Sequence, residues 1–146
     1  MMSSKAKYAL RALTLLAERA DAGGWTLAAD VAARESIPRK FLEAILVQLR
    51  DHRAIESRRG RGGGHRLARP AADISVGEVL RLIDGPLALT PCASRTQFEA
   101  CADCTEVRAC ALRHVLAHAR DAMAGVLDRC SLQELVQRRL GPEAAD

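Results

Sequence analysis

The residues in this sequence best able to do chemistry are its five cysteines. Four of them fall within 19 residues in the order Cys92-x8-Cys101-x2-Cys104-x5-Cys110, and Cys130 stands apart. Thiolates are soft ligands that select zinc, copper(I) or iron-sulfur clusters over hard cations. A structural zinc site is usually built from two close pairs, and here only Cys101 and Cys104 are close. An iron-sulfur cluster tolerates wider, irregular spacing. The candidate ligands are therefore Cys92, Cys101, Cys104 and Cys110, and the expected cofactor is an iron-sulfur cluster, [2Fe-2S] or [4Fe-4S]. A metal-free thiol switch and a zinc site stay open beside it. Cys130 is expected to be a packed or partly exposed thiol. His114 and His118, on the same helical face as Cys110, are either spare ligands or ordinary surface residues.

A second set of residues suits a polyanion. The segment 50–69 holds seven arginines (Arg50, Arg53, Arg58, Arg59, Arg61, Arg66 and Arg69) against Asp51 and Glu56. Such an excess neutralises phosphates and releases counterions, which drives most nucleic-acid affinity. The planar guanidinium can also grip a phosphate or a guanine edge with two hydrogen bonds. Between the arginines runs Gly60-Arg61-Gly62-Gly63-Gly64, a tip thin enough to enter a groove. It lacks the Lys-Ser/Thr of a phosphate-cradling P-loop and no helix follows it, which argues against a nucleotide site.

The elements that must carry these residues follow from periodicity. Residues 4–20 place Ala6, Ala9, Leu10, Leu13, Leu16 and Ala17 on one helical face, and Gly23 and Gly24 end it. Thr26 is a plausible N-cap for a short helix over 27–34. Pro38 suits the first turn of a third helix, 38–50, which is expected to bury Phe41, Leu42, Ile45, Leu46 and Leu49. Two short helices across a tight turn form a helix-turn-helix. The strand, glycine loop and strand over 54–68 that follow make a β-hairpin wing. Ser75 and Glu78 form a capping box for a helix reaching about Asp84, stopped by Gly85 and Pro86. After an irregular loop, 87–106, a long helix is predicted over 107–129. Its apolar residues Leu112, Leu116, Ala119, Met123 and Val126 or Leu127 are spaced like a coiled-coil seam. Ser131 and Glu134 cap a last short helix, and 141–146 is expected to fray. The predicted fold is mainly α with a small β-hairpin wing. It divides into a winged helix-turn-helix domain over 1–85, a cysteine-rich cofactor loop over 86–106, and a dimerisation helix with C-terminal segment over 107–146.

Composition narrows the function classes. Residues 1–69 carry 14 Lys and Arg against 7 Asp and Glu, and residues 70–146 carry 8 against 11, so the halves stand at +7 and −3. A basic head joined to a mildly acidic module suits DNA binding coupled to another task. Aromatics make up 3% of the chain, too few for a base-stacking RNA surface. The opening residues lack the apolar stretch of a signal peptide and no apolar run is long enough to span a bilayer, so the expected location is the cytoplasm and the cysteines are not expected to form a disulfide framework. A small dithiol oxidoreductase using Cys101 and Cys104 is the competing class. It fits poorly, because the pair lacks a strand-helix redox context and an enzyme has no use for an arginine-rich wing.

Taken together, Ser4-Lys5-Ala6-Lys7-Tyr8-Ala9-Leu10, Phe41-Leu42-Glu43, Leu49-Arg50, Arg59-Gly60-x-Gly62-Gly63-Gly64, Ile74-Ser75-Val76-Gly77-Glu78-Val79 and the late cysteines resemble the Rrf2 family of bacterial transcription regulators. The likeness spans roughly residues 3–140, and the Arg-Gly-x-Gly-Gly-Gly tip is its most specific element. It implies a homodimer on a pseudo-palindromic, double-stranded operator that senses iron-sulfur, nitric-oxide or redox status. It implies that Arg39, Lys40 and Glu43 lie on the recognition helix and that the wing supplies Arg58, Arg59, Arg61, Gly62, Gly63 and His65. It also implies Cys92, Cys104 and Cys110 as ligands, with Cys101 an extra candidate for the fourth position. The sequence departs from the family twice: Arg113 stands where some members have a ligating histidine, and no acidic residue precedes Glu18 on the first helix.

Overall fold

The computed structural model describes residues 2–20 and 22–141. Ser3 opens the first helix by accepting the Ala6 amide on its hydroxyl, 3.0 Å. This helix, α1 (Ser4–Ala20), is the hub of the fold. It buries Ala6, Ala9, Leu13 and Leu16, as its periodicity predicts, and also Ala12 and Leu15, because three later helices and the hairpin pack around it.

Helix α2 (Ala28–Glu35) and helix α3 (Arg39–Asp51) form the helix-turn-helix. The turn is made by Ser36, left-handed at φ 52°, and by Pro38, which is the N-cap of α3 and not its first helical residue. Glu35, 2% exposed, ends α2 inside the protein. There it pairs with Arg11 of α1 at 3.2 Å and with Arg139 at 2.6 Å. A buried carboxylate needs such partners. Leu42, Ile45, Leu46 and Leu49 are the buried face of α3. Phe41, expected in that set, is instead 41% exposed and meets Tyr8 edge-on at 5.7 Å. It lies one residue before the buried stripe and so faces sideways.

Strands β1 (Ile55–Arg58) and β2 (Gly64–Leu67) pair antiparallel, with Ile55 opposite Leu67 and Arg58 opposite Gly64. Helix α4 (Val76–Asp84) begins at Ser75, whose hydroxyl accepts the Glu78 amide at 3.1 Å. The expected return bond of a full capping box is replaced, since the Glu78 carboxylate is paired with Arg69. Helix α5 (Ala111–Leu127) starts four residues later than predicted; residues 107–110 form a turn and Cys110 is its N-cap. None of its residues is buried. Helix α6 (Leu132–Leu140) has the complete Ser131–Glu134 capping box. It returns to α1, and Leu132 lies fully buried in the same core as α1 and α3. The elements over 4–84 and 132–140 supply the main core, and Ala6, Val76 and Leu80 form a second, smaller cluster onto which Leu127 of α5 also packs. Of the predicted frayed segment, 142–146 lies outside the described residues.

Candidate nucleic-acid interface and cysteine-rich loop

The hairpin is held to the helix-turn-helix by a third extended segment. Thr26, expected to cap α2, is 3% exposed and forms an antiparallel bridge with His65. The Thr26 amide donates to the His65 carbonyl at 2.9 Å, and the His65 amide to the Thr26 carbonyl at 2.8 Å. Leu27 takes the N-cap place of α2 without a side-chain bond. The approach is so close that a Cβ at Gly64, φ +136°, would lie 2.6 Å from the Thr26 carbonyl oxygen. Only glycine fits there.

The hairpin residues divide by what they touch. Arg58 lies over the Trp25 ring, 4.8 Å from its centroid, and donates to the Gly62 carbonyl at 2.5 Å. Arg66 covers the same ring at 4.5 Å and pairs with Glu56 at 2.8 Å. The His65 ring meets the Ser57 hydroxyl at 2.8 Å. Burial, and then the charge of Arg50, push its pKa below the usual 6.5. Arg59 and Arg61 make no ion pair or side-chain hydrogen bond among the described residues and stand exposed at the tip with Gly62. On α3, Arg39 and Glu43 form an exposed pair at 3.0 Å, with Lys40 exposed beside them. Such a surface pair contributes at most about 1 kcal/mol, so both side chains can exchange partners. A groove lined by Glu43, Val47, Arg50, Arg59 and His65 separates α3 from the hairpin.

The predicted ligands do not all meet. The Cys101 and Cys104 sulfurs and an Asp103 carboxylate oxygen lie within 4.8 Å of one another. The buried Cys92 thiol lies outside this tight group but near enough to Cys101 for the two to perturb each other, and the Thr90 hydroxyl lies 3.2 Å from its sulfur. That hydroxyl, with Cys101 and the charge of Arg113, lowers the Cys92 pKa against the opposing effect of burial. Cys101, flanked by Cys92 and Cys104, is pushed up to about 11. Cys110, at the start of α5, falls outside the tight group among the described residues. His114 turns back onto the Arg108 carbonyl, 3.1 Å.

Helix α5 grips this loop through two arginines that the cysteine pattern did not reveal. Arg113 donates to the Cys92 carbonyl at 2.8 Å, and Arg120, two turns on, donates to the Ala93 carbonyl. Asp121 pairs with Arg120 and with Arg95 of the loop, which hold its carboxyl at about 2. The spacing of seven on one helix was the available signal.

Residues 2–138 match the Rrf2 family model, described as iron-dependent transcriptional regulator. The chain belongs to the Rrf2 family. An Rrf2-like HTH-type transcriptional regulator of Rhodobacter capsulatus is 38% identical over 138 residues, 93% of this chain and 92% of that protein. The HTH-type transcriptional regulator IscR of Escherichia coli is 32% identical over 139 residues, 94% of this chain and 81% of that one. Among solved structures, CymR, the global cysteine regulator of Bacillus subtilis, superposes with a TM-score of 0.75 at 26% identity, covering 94% and 96% of the two chains. This Rrf2 protein is thus a DNA-binding transcriptional regulator with a winged-helix fold, and not an enzyme. No helix among its described residues is long and apolar enough to cross a membrane.

Proposed function

We propose that this Rrf2 protein binds a pseudo-palindromic operator as a homodimer in the cytoplasm, and that an iron-sulfur cluster held by its cysteine loop sets its affinity for DNA. The convergence of Cys92, Cys101 and Cys104 on a loop gripped by α5 carries this reading. Three soft donors beside a carboxylate suit a thiolate-ligated iron centre. Asp103 or Cys110 would complete the set, Cys110 after a local shift of the turn before α5. When bound, the cluster supplies a redox- and nitric-oxide-sensitive centre. The family description as iron-dependent and the likeness to IscR point the same way.

The remaining roles fall to this chain's own residues. Arg39, Lys40 and Glu43 of α3 face the base edges of the major groove, and Arg59, Arg61 and Gly62 enter beside a phosphate line, with Gly63 buried beneath them. Arg58 and His65 belong to the same hairpin, which the Thr26 bridge holds against the helices. The dimer forms along α5. Its outward stripe is Leu112, Val115, the half-buried Ala119, Ala122 and Val126, spaced three and four apart, with Leu112, Val115 and Val126 exposed by 64%, 63% and 69%. The predicted seam mixed this stripe with Leu116, Met123 and Leu127, which are half-buried against the rest of the chain.

The nearness of the Cys92 and Cys101 thiols, close enough for each to perturb the other, favours a second reading, a metal-free switch. There the two thiols form one disulfide and pass two electrons and two protons to an oxidant such as a peroxide. An anaerobic spectrum with iron and sulfide counts, joined to gel shifts on promoter DNA before and after chelation, separates the readings. Iron and sulfide in stoichiometric amount, with affinity that changes on their removal, supports the cluster. Iron-free protein whose DNA affinity follows peroxide and thiol reductant supports the switch instead.

A further inference from the structure

The hairpin is built around the chain's single tryptophan. Trp25 lies between α1 and α2, next to Thr26, whose bridge to His65 makes it part of the sheet edge. Two cations lie over its ring: the Arg58 guanidinium sits 4.8 Å from the ring centroid and that of Arg66 sits 4.5 Å from it. In the strand register Glu56 opposes Arg66 and Arg58 opposes Gly64, so Glu56, Arg58 and Arg66 share one side of the hairpin. Arg66 is further tied to Glu56, and Arg58 closes the tip loop through the Gly62 carbonyl. Cation–π stacking of this kind is attractive even at exposed sites and uses the flat face of the guanidinium. Arg58 has therefore spent its face on the indole and an edge on the tip.

We infer that Trp25 and Arg58 are positioning residues of the wing, which hold it at its working angle to α3, and that Arg58 does not contact phosphate. The phosphate ligands of the tip are then Arg59 and Arg61, which stand exposed there with no side-chain partner among the described residues. The inference rests on the reading of the hairpin as a DNA-contacting wing. It divides the four arginines of the hairpin by geometry: Arg58 and Arg66, stacked on Trp25, shape the wing, and Arg59 and Arg61 at its tip meet the polyanion.

The test is the salt dependence of binding to a mixed-sequence duplex, followed by anisotropy, for the full-length protein and its variants. Each phosphate contact contributes about 0.9 to the slope of log affinity against log salt. Arg59→Gln is expected to flatten the slope by about 1. Arg58→Gln is expected to keep the wild-type slope, weaken binding roughly threefold to tenfold at every salt concentration, and shift Trp25 emission in the free protein. Trp25→Ala should show the same uniform loss, and Trp25→Phe, which keeps an aromatic face, should restore affinity to within about twofold. If Arg58→Gln flattens the slope as much as Arg59→Gln, Arg58 is a phosphate ligand and the inference is overturned. If neither substitution changes the slope, the hairpin does not meet the backbone, and both the wing reading and this inference fall. Retained affinity in Trp25→Ala likewise overturns the positioning role.

Discussion

Replacing Gly64 by alanine should unseat the hairpin at a cost that can be worked out from its surroundings. The added Cβ meets the Thr26 carbonyl oxygen at 2.6 Å and its carbonyl carbon at 2.7 Å, both backbone atoms that cannot rotate away. The backbone at φ +136° is itself a glycine conformation, and forcing a side chain into it costs about 1–3 kcal/mol. To relieve the clash the Thr26 segment must retreat, which breaks its two hydrogen bonds to His65 at 2.9 and 2.8 Å. Each bond contributes about 0.5–1.5 kcal/mol, and more where the freed group stays buried, as at Thr26. The expected loss is about 2–6 kcal/mol, a large part of the stability of a domain this size. Gly60→Ala supplies the control. Gly60 also has positive φ, +88°, but nothing lies within 4 Å of its Cβ position. It should cost only about 1–2 kcal/mol of backbone strain. Urea denaturation followed by circular dichroism measures both, provided the slope of the transition is unchanged. A Gly64→Ala midpoint no lower than that of Gly60→Ala would refute the reasoning, because the clash and the bridge would then be contributing nothing.

Three further outcomes are expected. Val115→Glu, at a position 63% exposed on α5, should yield a folded monomer in sedimentation at micromolar protein; a persisting dimer removes α5 as the seam. Single Cys→Ala changes at 92, 101 and 104 should each abolish or sharply lower anaerobic iron content while Cys130→Ala leaves it intact, and full iron in all three overturns the ligand set. His65 has a folded pKa below 6.5, so the unfolded chain binds its proton first as pH falls. Its contribution to stability is present above pH 6.5 and is lost as pH drops through that value toward the folded pKa, so His65→Gln should flatten the stability–pH curve there; an unchanged curve discounts the shift.

Local signals located most of the elements. Ser75 and Ser131 marked two helix starts to the residue, because a cap acts on amides two or three positions away. The glycine run between arginines marked the hairpin. Sequence reasoning failed where a distant partner decides the matter. Thr26 has the composition of a cap, but His65, far along the chain, claims its backbone as a strand edge. Helix α5 carries apolar residues on two faces, one turned to its own chain and one to solvent, and periodicity alone cannot say which face is covered. Spacing grouped the four cysteines and could not say that Cys101 and Cys104 meet beside Asp103 while Cys110, at the start of α5, stays apart.

The attachments of α5 define what a change in the cysteine loop can reach. With no fully buried residue, this helix is held to the head by half-buried Leu116, Met123 and Leu127 and by a small number of polar contacts. At the loop end these are the Arg113 and Arg120 bonds to consecutive carbonyls, Cys92 and Ala93. At the far end Asp128 takes both Arg81 nitrogens of α4, at 2.5 and 2.9 Å, and a Cβ at Gly77 would run into that carboxylate. Helix α4 in turn accepts Gln48 of α3 on its Leu82 carbonyl at 2.9 Å. Polar contacts therefore connect the buried Cys92 turn to the helix that carries Arg39, Lys40 and Glu43. Two or three hydrogen bonds at about 1 kcal/mol each are enough for a regulatory coupling of about 1–3 kcal/mol. Linkage makes that coupling reciprocal: if the state of the loop changes DNA affinity, bound DNA must change the free energy of that loop transition by the same amount. Arg81→Gln, which cuts the series at Asp128 and touches neither the cysteines nor the hairpin, should leave iron content and apo DNA affinity near wild type and shrink the difference between the two loop states. An undiminished difference in this variant would show that the signal travels across the dimer and not through α4.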